Sequence, residues 1–307
     1  MTSDWDRVFA VVQMAARRES EKVRAQIVAC LVLTIIASFD PQATVSADEL
    51  VKFDSATYAV GKLQQRLARE RGETPTSAPA TAIEGYLSKP DGSGHFPAVV
   101  YLHPCSGLGE RTRKQIAELI TGWGYVSLAV DSFGPRGIKE ACDQPTPNVQ
   151  ADALGALLYL SKIAFVDPKR IAVLGWSQGG IAALQLASTH PVGLFAIPDE
   201  LKFRAAVAYY PLCSVATDQL TIPTVILIGE LDDITPAKNC ERWMEQRAGK
   251  GAPVKLVIYP GAYHSFNVAA ASRDGMRFYG HWVKYDADAA QRSVLEVHDF
   301  LATELAK

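Results

Sequence analysis

A serine flanked by glycines separates a short apolar run from a helix-forming run, and this stretch constrains the fold more than any other. The run from Ile171 to Leu174 has the length and β-branched content of a buried strand, whereas the residues from Ile181 onward have helical character. The intervening Gly-Trp-Ser-Gln-Gly-Gly places Ser177 on a sharp strand-to-helix turn, where a Cβ at the flanking glycine positions would clash with the neighbouring strand or helix. This pattern is typical of a nucleophile elbow, with the serine at a helix N-terminus that favours negative charge. The alternative is a glycine-rich turn with an incidental serine.

Strand-like and helical patterns alternate along residues 48–307. Strands are predicted at 51–56, 82–88, 97–102, 125–130, 171–174, 205–210, 224–228 and 254–259. Helices are predicted at 62–70, 113–123, 147–163, 181–187, 236–247 and 288–304. Thr235 is the expected N-cap of the helix at 236–247, which has proline at its first position. The alternation predicts one α/β domain, with a mostly parallel central sheet and helices on both faces.

Candidates for the base and acid that would activate the serine follow later strands. A serine hydroxyl is a poor nucleophile until a base takes its proton, and a carboxylate orients that base. In an open parallel sheet such groups collect at the carboxyl ends of the strands. The chain order Ser, Asp, His excludes Asp131, which precedes Ser177, and leaves Asp232 or Asp233. We favour Asp232 and expect Asp233 to cap the next helix. His264 follows the last predicted strand and is the expected base, with a structural histidine as the alternative.

Two backbone amides are expected to bind the oxygen of a tetrahedral intermediate. Each such donor is worth roughly a hundred- to a thousandfold in rate. The amide of Gln178 directly follows the serine. The loop after the strand at 97–102 should supply the second donor, and Cys105 is best placed there.

Charge and residue spacing narrow the range of partners. A net charge of −2 gives no electrostatic argument for nucleic acid or an anionic membrane. The cysteines and histidines show no metal-ligand spacing, so neither a metal nor another cofactor is expected.

Residues 1–47 differ from the rest of the chain. Basic residues precede an almost unbroken apolar run at 25–39, and small residues then match a signal-peptidase site. The run has about fifteen residues, fewer than the roughly twenty that span a bilayer. We expect a cleaved secretory signal, with translation starting at Met14 and cleavage after Ala47. The mature protein, residues 48–307, would then be periplasmic or secreted and would not contact the membrane. A buried amphipathic helix is the alternative.

An exported protein folds in an oxidising compartment, where cysteines pair. The four cysteines beyond residue 47 allow three pairings. The expected fold favours Cys105 with Cys142, on loops after neighbouring strands. It also favours Cys213 with Cys240, one after a strand and one in the next helix. Four separate buried thiols are the alternative.

Six motifs from about Val51 to the end of the chain resemble the dienelactone hydrolase family of α/β-hydrolases. They are His103-Pro-Cys-Ser-Gly, Asp131-Ser-Phe with Arg136, Gly175-Trp-Ser-Gln-Gly-Gly, Ala208-Tyr-Tyr-Pro, Gly229-Glu-Leu-Asp with Pro236, and Tyr259-Pro-Gly-Ala-Tyr-His-Ser-Phe. The resemblance implies an α/β-hydrolase fold with Ser177 as nucleophile, Asp232 as acid and His264 as base. It also matches Cys105 and Gln178 with the oxyanion donors.

The chain departs from the family's pattern at the nucleophile and at the substrate carboxylate. The bacterial enzymes that it resembles use a cysteine nucleophile and an adjacent glutamate, whereas this chain has Ser177 and Pro104 at these positions. In the family, an arginine shortly after the His-Ser-Phe motif holds part of the substrate carboxylate. This chain has Asn267 and Val268 there instead. These departures favour a serine carboxylesterase over a true dienelactone hydrolase.

Candidate substrate contacts are one cation and four aromatic side chains. Arg136 is the candidate for an anion-binding role. The aromatic candidates, each with core packing as its alternative, are Phe133, Trp176, Tyr210 and Tyr263. Together they predict an apolar, aromatic site wall.

The sequence therefore predicts an exported serine hydrolase that cleaves a small-molecule carboxylic ester through an acyl-enzyme. A peptidase or an acyltransferase with the same three residues is the first alternative. A non-catalytic binding protein of the cell envelope is the second, although a pure binder has no physical need for an intact Ser, Asp and His set. Substrate identity and oligomeric state do not follow from the sequence.

Overall fold

The structure, a computed structural model, describes residues 48–77, 79–188, 194–217, 219–271 and 274–306. The expected signal, residues 1–47, lies outside the described residues. The strands are β1 (Glu49–Asp54), β2 (Ala82–Ser88), β3 (Phe96–Leu102), β4 (Val126–Asp131), β5 (Val166–Trp176), β6 (Ala206–Tyr209), β7 (Thr224–Gly229), β8 (Val254–Tyr259), β9 (Met276–Phe278) and β10 (His281–Val283). The helices are α1 (Lys62–Glu70), α2 (Glu110–Gly122), α3 (Val149–Leu160), α4 (Gln178–Leu186), α5 (Ala237–Arg247) and α6 (Ala287–Leu305).

Eight strands form one mostly parallel sheet in the order β1-β2-β4-β3-β5-β6-β7-β8. Strands β3 to β8 pair in parallel, whereas β2 is antiparallel to both of its neighbours, β1 and β4. Strands β9 and β10 form a separate antiparallel hairpin. The parallel strands all end at the same edge of the sheet, which is where ligands bind in open α/β folds.

Helices cover both faces of the sheet, as predicted. Successive residues at the end of β5 point to opposite faces. A Cβ added at Gly175 would meet the backbone of Gly179 in α4. The next residue, Trp176, lines a cavity with side chains of α2 and α6. Because both faces are covered, the central strands are apolar throughout: residues 98–102 of β3 and 171–174 of β5 are at most 2% exposed.

The two predicted disulfides, Cys105–Cys142 and Cys213–Cys240, are present. Their Cα atoms are 4.8 Å and 4.9 Å apart, respectively. Within the described ranges, no helix is both long and apolar enough to cross a membrane.

Helices α2 and α4 begin at Glu110 and Gln178, three residues before their predicted starts. The predicted starts of α3 and α5 are wrong by two residues and one residue, for local reasons. Helix α3 begins at Val149 rather than at Pro147, because Asn148 caps it by accepting a hydrogen bond from the amide of Ala151 at 3.0 Å. Helix α5 has no side-chain cap, because the hydroxyl of Thr235, its expected N-cap, is used in the site described below.

Candidate active site

Ser177, His264 and Asp232 meet at the carboxyl ends of three strands, β5, β8 and β7. Ser177 Oγ lies 3.0 Å from His264 Nε2, and His264 Nδ1 lies 2.7 Å from Asp232 Oδ2. These distances fit a hydroxyl that donates to Nε2 and an Nδ1–H that donates to the carboxylate. The imidazole and the carboxylate are buried, whereas Ser177 is partly exposed. The arrangement can therefore move a proton from the serine hydroxyl to the imidazole.

The turn that carries Ser177 is strained and leaves no space for a side chain two residues before or two residues after the serine. Ser177 has a φ of 53°, in the region that non-glycine residues rarely adopt. A Cβ added at Gly175 would lie 2.0 Å from the carbonyl oxygen of Gly179. A Cβ added at Gly179 would lie 2.2 Å from the last carbonyl oxygen of β3. The expected need for glycine on both sides of the serine is confirmed.

Both carboxylate oxygens of Asp232 are hydrogen-bonded, which fixes the carboxylate against His264. Oδ1 accepts from the amides of Ile234 at 3.0 Å and Thr235 at 2.8 Å. Oδ2 accepts from the Thr235 hydroxyl at 2.9 Å. Asp233 is half-exposed and lies 3.4 Å from His281, and it does not cap helix α5. Of the two candidate acids, the structure brings the favoured one, Asp232, to His264.

The ring of Tyr210 packs against His264, with ring centroids 4.4 Å apart. Tyr210 is buried, and its hydroxyl donates to Asn267 Oδ1 at 2.9 Å. Burial raises the pKa of Tyr210 well above its usual value, so the phenol stays neutral. The imidazole is thus confined between this ring and the carboxylate, which limits its rotation.

The amides of Cys105 and Gln178 lie on two different elements beside Ser177. Gln178 is the first residue of α4, Cys105 follows β3, and both line a cavity with Ser177. Within the described part of the chain, neither amide donates a hydrogen bond to a protein acceptor. The disulfide to Cys142 tethers Cys105, and the Cys105 carbonyl accepts from the amide of Ala141 at 2.8 Å. Both amides can therefore donate to an oxygen of a ligand.

Two cavities open beside Ser177. The larger, of about 640 Å³, lies against the loop from Cys142 to Val149 and helices α3 and α4. The smaller, of about 310 Å³, lies against the loop after β3, His264 and the β9–β10 hairpin. Of the aromatic residues expected in the site wall, Trp176 and Tyr210 line the smaller cavity, whereas Phe133 and Tyr263 line neither. The described residues contain no group of three or more His, Cys, Asp or Glu side chains placed to hold a metal ion.

Phe133 packs instead on His103, which fixes the loop that carries Cys105. The two rings lie edge to face with centroids 4.5 Å apart. His103 Nδ1–H donates to the carbonyl of Pro104 at 2.7 Å, and Nε2 accepts from the amide of Ser132 at 3.2 Å. Burial lowers the pKa of His103, which agrees with a neutral ring that has one acceptor nitrogen.

Arg136 is held in an ion pair away from the two cavities. Its guanidinium donates to both carboxylate oxygens of Asp152 at 2.8 Å, and to the carbonyl of Ser132 at 2.6 Å. Asp152, in α3, is fully buried and also accepts from the Ser55 hydroxyl. Arg136 lines neither cavity beside Ser177. The structure therefore does not bring this candidate anion-binding residue to the site.

The β9–β10 hairpin contributes site residues that the sequence analysis missed. Met276, Phe278 and Val283 line the smaller cavity, and Val283 bridges to His264. Three-residue strands are too short to show an alternating pattern. The available sequence signal is the pair Tyr279-Gly280, with glycine at its second position. In the structure the two residues have φ values of 49° and 84°, which match the two-residue turns that close hairpins.

Comparison with known proteins identifies the family of this chain and agrees with its fold. Residues 83–305 match the model of the dienelactone hydrolase family. A "Probable 2-oxo-3-(5-oxofuran-2-ylidene)propanoate lactonase" of Bradyrhizobium is 26% identical over 59% of this chain and 78% of the relative. A "Putative carboxymethylenebutenolidase" of Yersinia pestis is 24% identical over 69% of this chain and 86% of the relative.

A solved structure shares the fold. The dienelactone hydrolase-like promiscuous phosphotriesterase from metagenomic libraries superposes with a TM-score of 0.59 and 20% identity, covering 84% of this chain and 99% of that one. The fold is that of the α/β-hydrolases, and the family model spans most of the chain. This chain belongs to the dienelactone hydrolase family.

Proposed function

We propose that this hydrolase is a serine carboxylesterase that acts on a small-molecule ester through an acyl-enzyme. The observation that carries the proposal is the continuous hydrogen-bonded chain from Ser177 Oγ through His264 to Asp232. Ser177 lies on a strained turn, as expected of an exposed nucleophile. Family membership supports the hydrolase class.

The proposed reaction has two halves that use the same groups. In the first, Ser177 Oγ attacks the acyl carbon while its proton passes to His264 Nε2, and that proton then goes to the departing alkoxide. In the second, His264 takes a proton from water, the resulting hydroxide attacks the acyl carbon, and the proton returns to Ser177 Oγ as the acid leaves. Asp232 holds the Nδ1–H tautomer and stabilises the imidazolium that forms in each half.

The negative oxygen of both tetrahedral intermediates would accept from the amides of Cys105 and Gln178. The N-terminus of α4 adds favourable potential at the same place. Both groups are fixed before substrate arrives: one begins a helix and the other is tethered by a disulfide. Stabilisation of this kind needs little reorganisation during the reaction.

Covalent labelling and turnover test this function together. A serine-reactive fluorophosphonate should attach to Ser177, as located by peptide mass spectrometry, and abolish hydrolysis of p-nitrophenyl acetate. Ser177→Ala should lose both labelling and turnover. Peptide arylamides assayed in parallel separate an esterase from a peptidase. A folded protein that is neither labelled nor active on any ester would overturn the proposal.

We also propose that residues 1–47 are a cleaved export signal and that residues 48–307 form the mature hydrolase domain. The apolar run at 25–39 and the two disulfides support export, because disulfides persist in oxidising compartments. Expression of the full chain in a bacterium, followed by N-terminal sequencing of the periplasmic product, tests this. We expect the product to begin at Asp48; retention of residues 1–47 would contradict it.

A further inference from the structure

A third cavity, of about 720 Å³, lies against helices α2 and α6. We call it the α2–α6 cavity, and we call the smaller cavity beside Ser177 the hairpin cavity, because the β9–β10 hairpin forms one of its walls. Among the described residues, Trp176 is the one that lines both. Ser177 lines the hairpin cavity and not the α2–α6 cavity. The α2–α6 cavity is therefore separate from the groups that carry the proposed chemistry.

Two segments of the chain continue from the hairpin cavity to the α2–α6 cavity. On α2, Thr112 lines the hairpin cavity, and Ile116, about one turn further along the same face, lines the α2–α6 cavity. After His264, Val268 lines the hairpin cavity, whereas the next residue, Ala269, lines the α2–α6 cavity. The two cavities are therefore adjacent, and the side chain of Trp176 lies between them.

Two aromatic rings hold the indole of Trp176 in place. The ring of Tyr101 packs against it edge to face at a centroid distance of 5.4 Å, and that of Tyr209 does so at 6.1 Å. Both tyrosines are buried, and the Tyr209 hydroxyl donates to Ser293 Oγ in α6 at 3.2 Å. Trp176 itself keeps 9% of its surface exposed. Rotating the indole away would break both ring contacts, so it forms a fixed wall between the cavities.

Both cavities have mainly apolar walls. In the α2–α6 cavity the apolar side chains include Ile116, Leu119, Trp123, Leu174, Val294 and Val297. Of the described residues that line the two cavities, Glu118 and His264 are the only ones of the types Asp, Glu, Lys, Arg or His. Such walls favour an alkyl chain, because each methylene group that they bury strengthens binding by about fourfold. The hairpin cavity, of about 310 Å³, is at the small end of ligand cavities and suits a short chain.

We propose that Trp176 sets an upper limit on the length of the alkyl chain that the enzyme accepts on its ester. The chain occupies the hairpin cavity beside Ser177 and ends against the indole, so the α2–α6 cavity is closed to it. This inference rests on the proposed esterase function and narrows its substrate class to esters with a short chain on this side. Trp176 takes no part in proton transfer, and its removal should change which ester is preferred.

Two ratios of kcat/KM measure the limit. One compares p-nitrophenyl octanoate with p-nitrophenyl butanoate and reports on the acyl chain. The other compares octyl acetate with butyl acetate and reports on the alcohol chain. All esters are kept below the concentrations at which they aggregate. In the wild-type enzyme we expect at least one ratio to lie below one, which identifies the chain that enters the hairpin cavity. Trp176→Ala should raise that ratio by about tenfold or more, because the longer chain then enters the α2–α6 cavity.

Two further variants separate the wall from the fold. Trp123→Ala removes an indole that lines the α2–α6 cavity alone, so the wall remains and both ratios should keep their wild-type values. Trp176→Phe keeps an aromatic ring against Tyr101 and Tyr209 and should raise the same ratio by a smaller factor. It provides the test if Trp176→Ala does not fold, as judged by circular dichroism. A merely structural role for Trp176 would lower kcat/KM for short and long esters by the same factor.

The outcomes separate this inference from the function on which it rests. Wild-type ratios above one for both chains would overturn the inference and leave the esterase function intact. Wild-type values of both ratios in the folded Trp176 variants would do the same. Failure of Ser177 to react with the fluorophosphonate, together with no turnover of any ester, would overturn both.

Discussion

The carboxylates of Asp232 and Asp233 are adjacent in the chain but contact different histidines. Asp232 Oδ2 is 2.7 Å from the buried His264, whereas Asp233 Oδ1 is 3.4 Å from the half-exposed His281. The two carboxylates therefore form a natural pair of test and control, because they share one turn of chain and differ in what they contact.

Asp232→Asn should lower kcat for ester hydrolysis by about a thousand- to ten-thousandfold, because an amide no longer holds the Nδ1–H tautomer of His264 or stabilises the imidazolium. Asp233→Asn should stay within about twofold of wild type, since its contact is exposed. Steady-state kinetics on p-nitrophenyl acetate measures both. Equal losses of kcat in the two variants would show that the contact of Asp232 with His264 does not account for the loss of activity.

Gly179→Ala should destabilise the protein by about 3 kcal/mol, because the new methyl group has to displace the backbone of β3. Gly122→Ala is the control: this exposed glycine on α2 has no atom within 4 Å of an added Cβ. That change should be neutral or stabilise by up to about 1 kcal/mol. Urea unfolding followed by circular dichroism gives both values. A stable Gly179→Ala protein would contradict the close approach of α4 to β3.

Arg136→Ala should cost about 3–5 kcal/mol in the free energy of unfolding, because it leaves the fully buried Asp152 without its partner. KM for an ester that carries a carboxylate should not rise, since Arg136 lines neither cavity beside Ser177. Arg66→Ala, which removes an exposed pair with Glu70, should cost less than about 0.5 kcal/mol. A raised KM with unchanged stability would restore the anion-binding role.

The two disulfides should differ in what their removal does. The paired cysteines are 37 residues apart in Cys105–Cys142 and 27 residues apart in Cys213–Cys240. Replacing either pair by alanine removes the constraint on such a loop and should cost about 3–4 kcal/mol in the free energy of unfolding. Loss of Cys105–Cys142 should also lower kcat in conditions where the protein is still folded, because it releases the loop whose Cys105 amide we propose as an oxyanion donor. Loss of Cys213–Cys240 should leave kcat near the wild-type value. Equal kcat in both variants would argue against the tether.

His103 should make stability depend on pH. Burial holds its folded pKa below the unfolded value of about 6.5, so between these pKa values the unfolded state binds more protons. The contribution of His103 to the free energy of unfolding is complete above about pH 6.5 and is lost as the pH falls towards the folded pKa. The stability difference between wild type and His103→Gln should therefore shrink between about pH 8 and about pH 5. A stability difference that stays constant over this pH range would contradict the burial of a neutral His103.

Sequence predicted those parts of the site that depend on local patterns. Short sequence motifs and the order of the strands determine the elbow at Ser177 and the loop before His264, so the sequence alone predicted both. The choice of Asp232 over Asp233 also agreed with the structure. The pair Cys105–Cys142 followed from loops after neighbouring strands, and the pair Cys213–Cys240 from the end of a strand and the helix that comes next.

The features that the sequence did not predict depend on contacts between segments that are distant in the chain or form only on folding. Arg136 finds Asp152 only because α3 packs beside it, and nothing in the local sequence marks that pairing. Thr235 was expected to cap α5, but its hydroxyl donates to Asp232, a carboxylate that becomes its neighbour only once the turn has formed. The wall formed by Met276 and Phe278 belongs to a hairpin too short to show a pattern.

The strand order has a consequence for how the protein acquires activity. Ser177 follows β5 and His264 follows β8, so three interstrand spacings of about 4.8 Å lie between the strands that present them. A partly assembled chain that had paired only β1 to β5 would contain the finished elbow and yet have no base within reach. Recovery of turnover during refolding should therefore lag behind the return of most secondary structure and report the docking of the last strand.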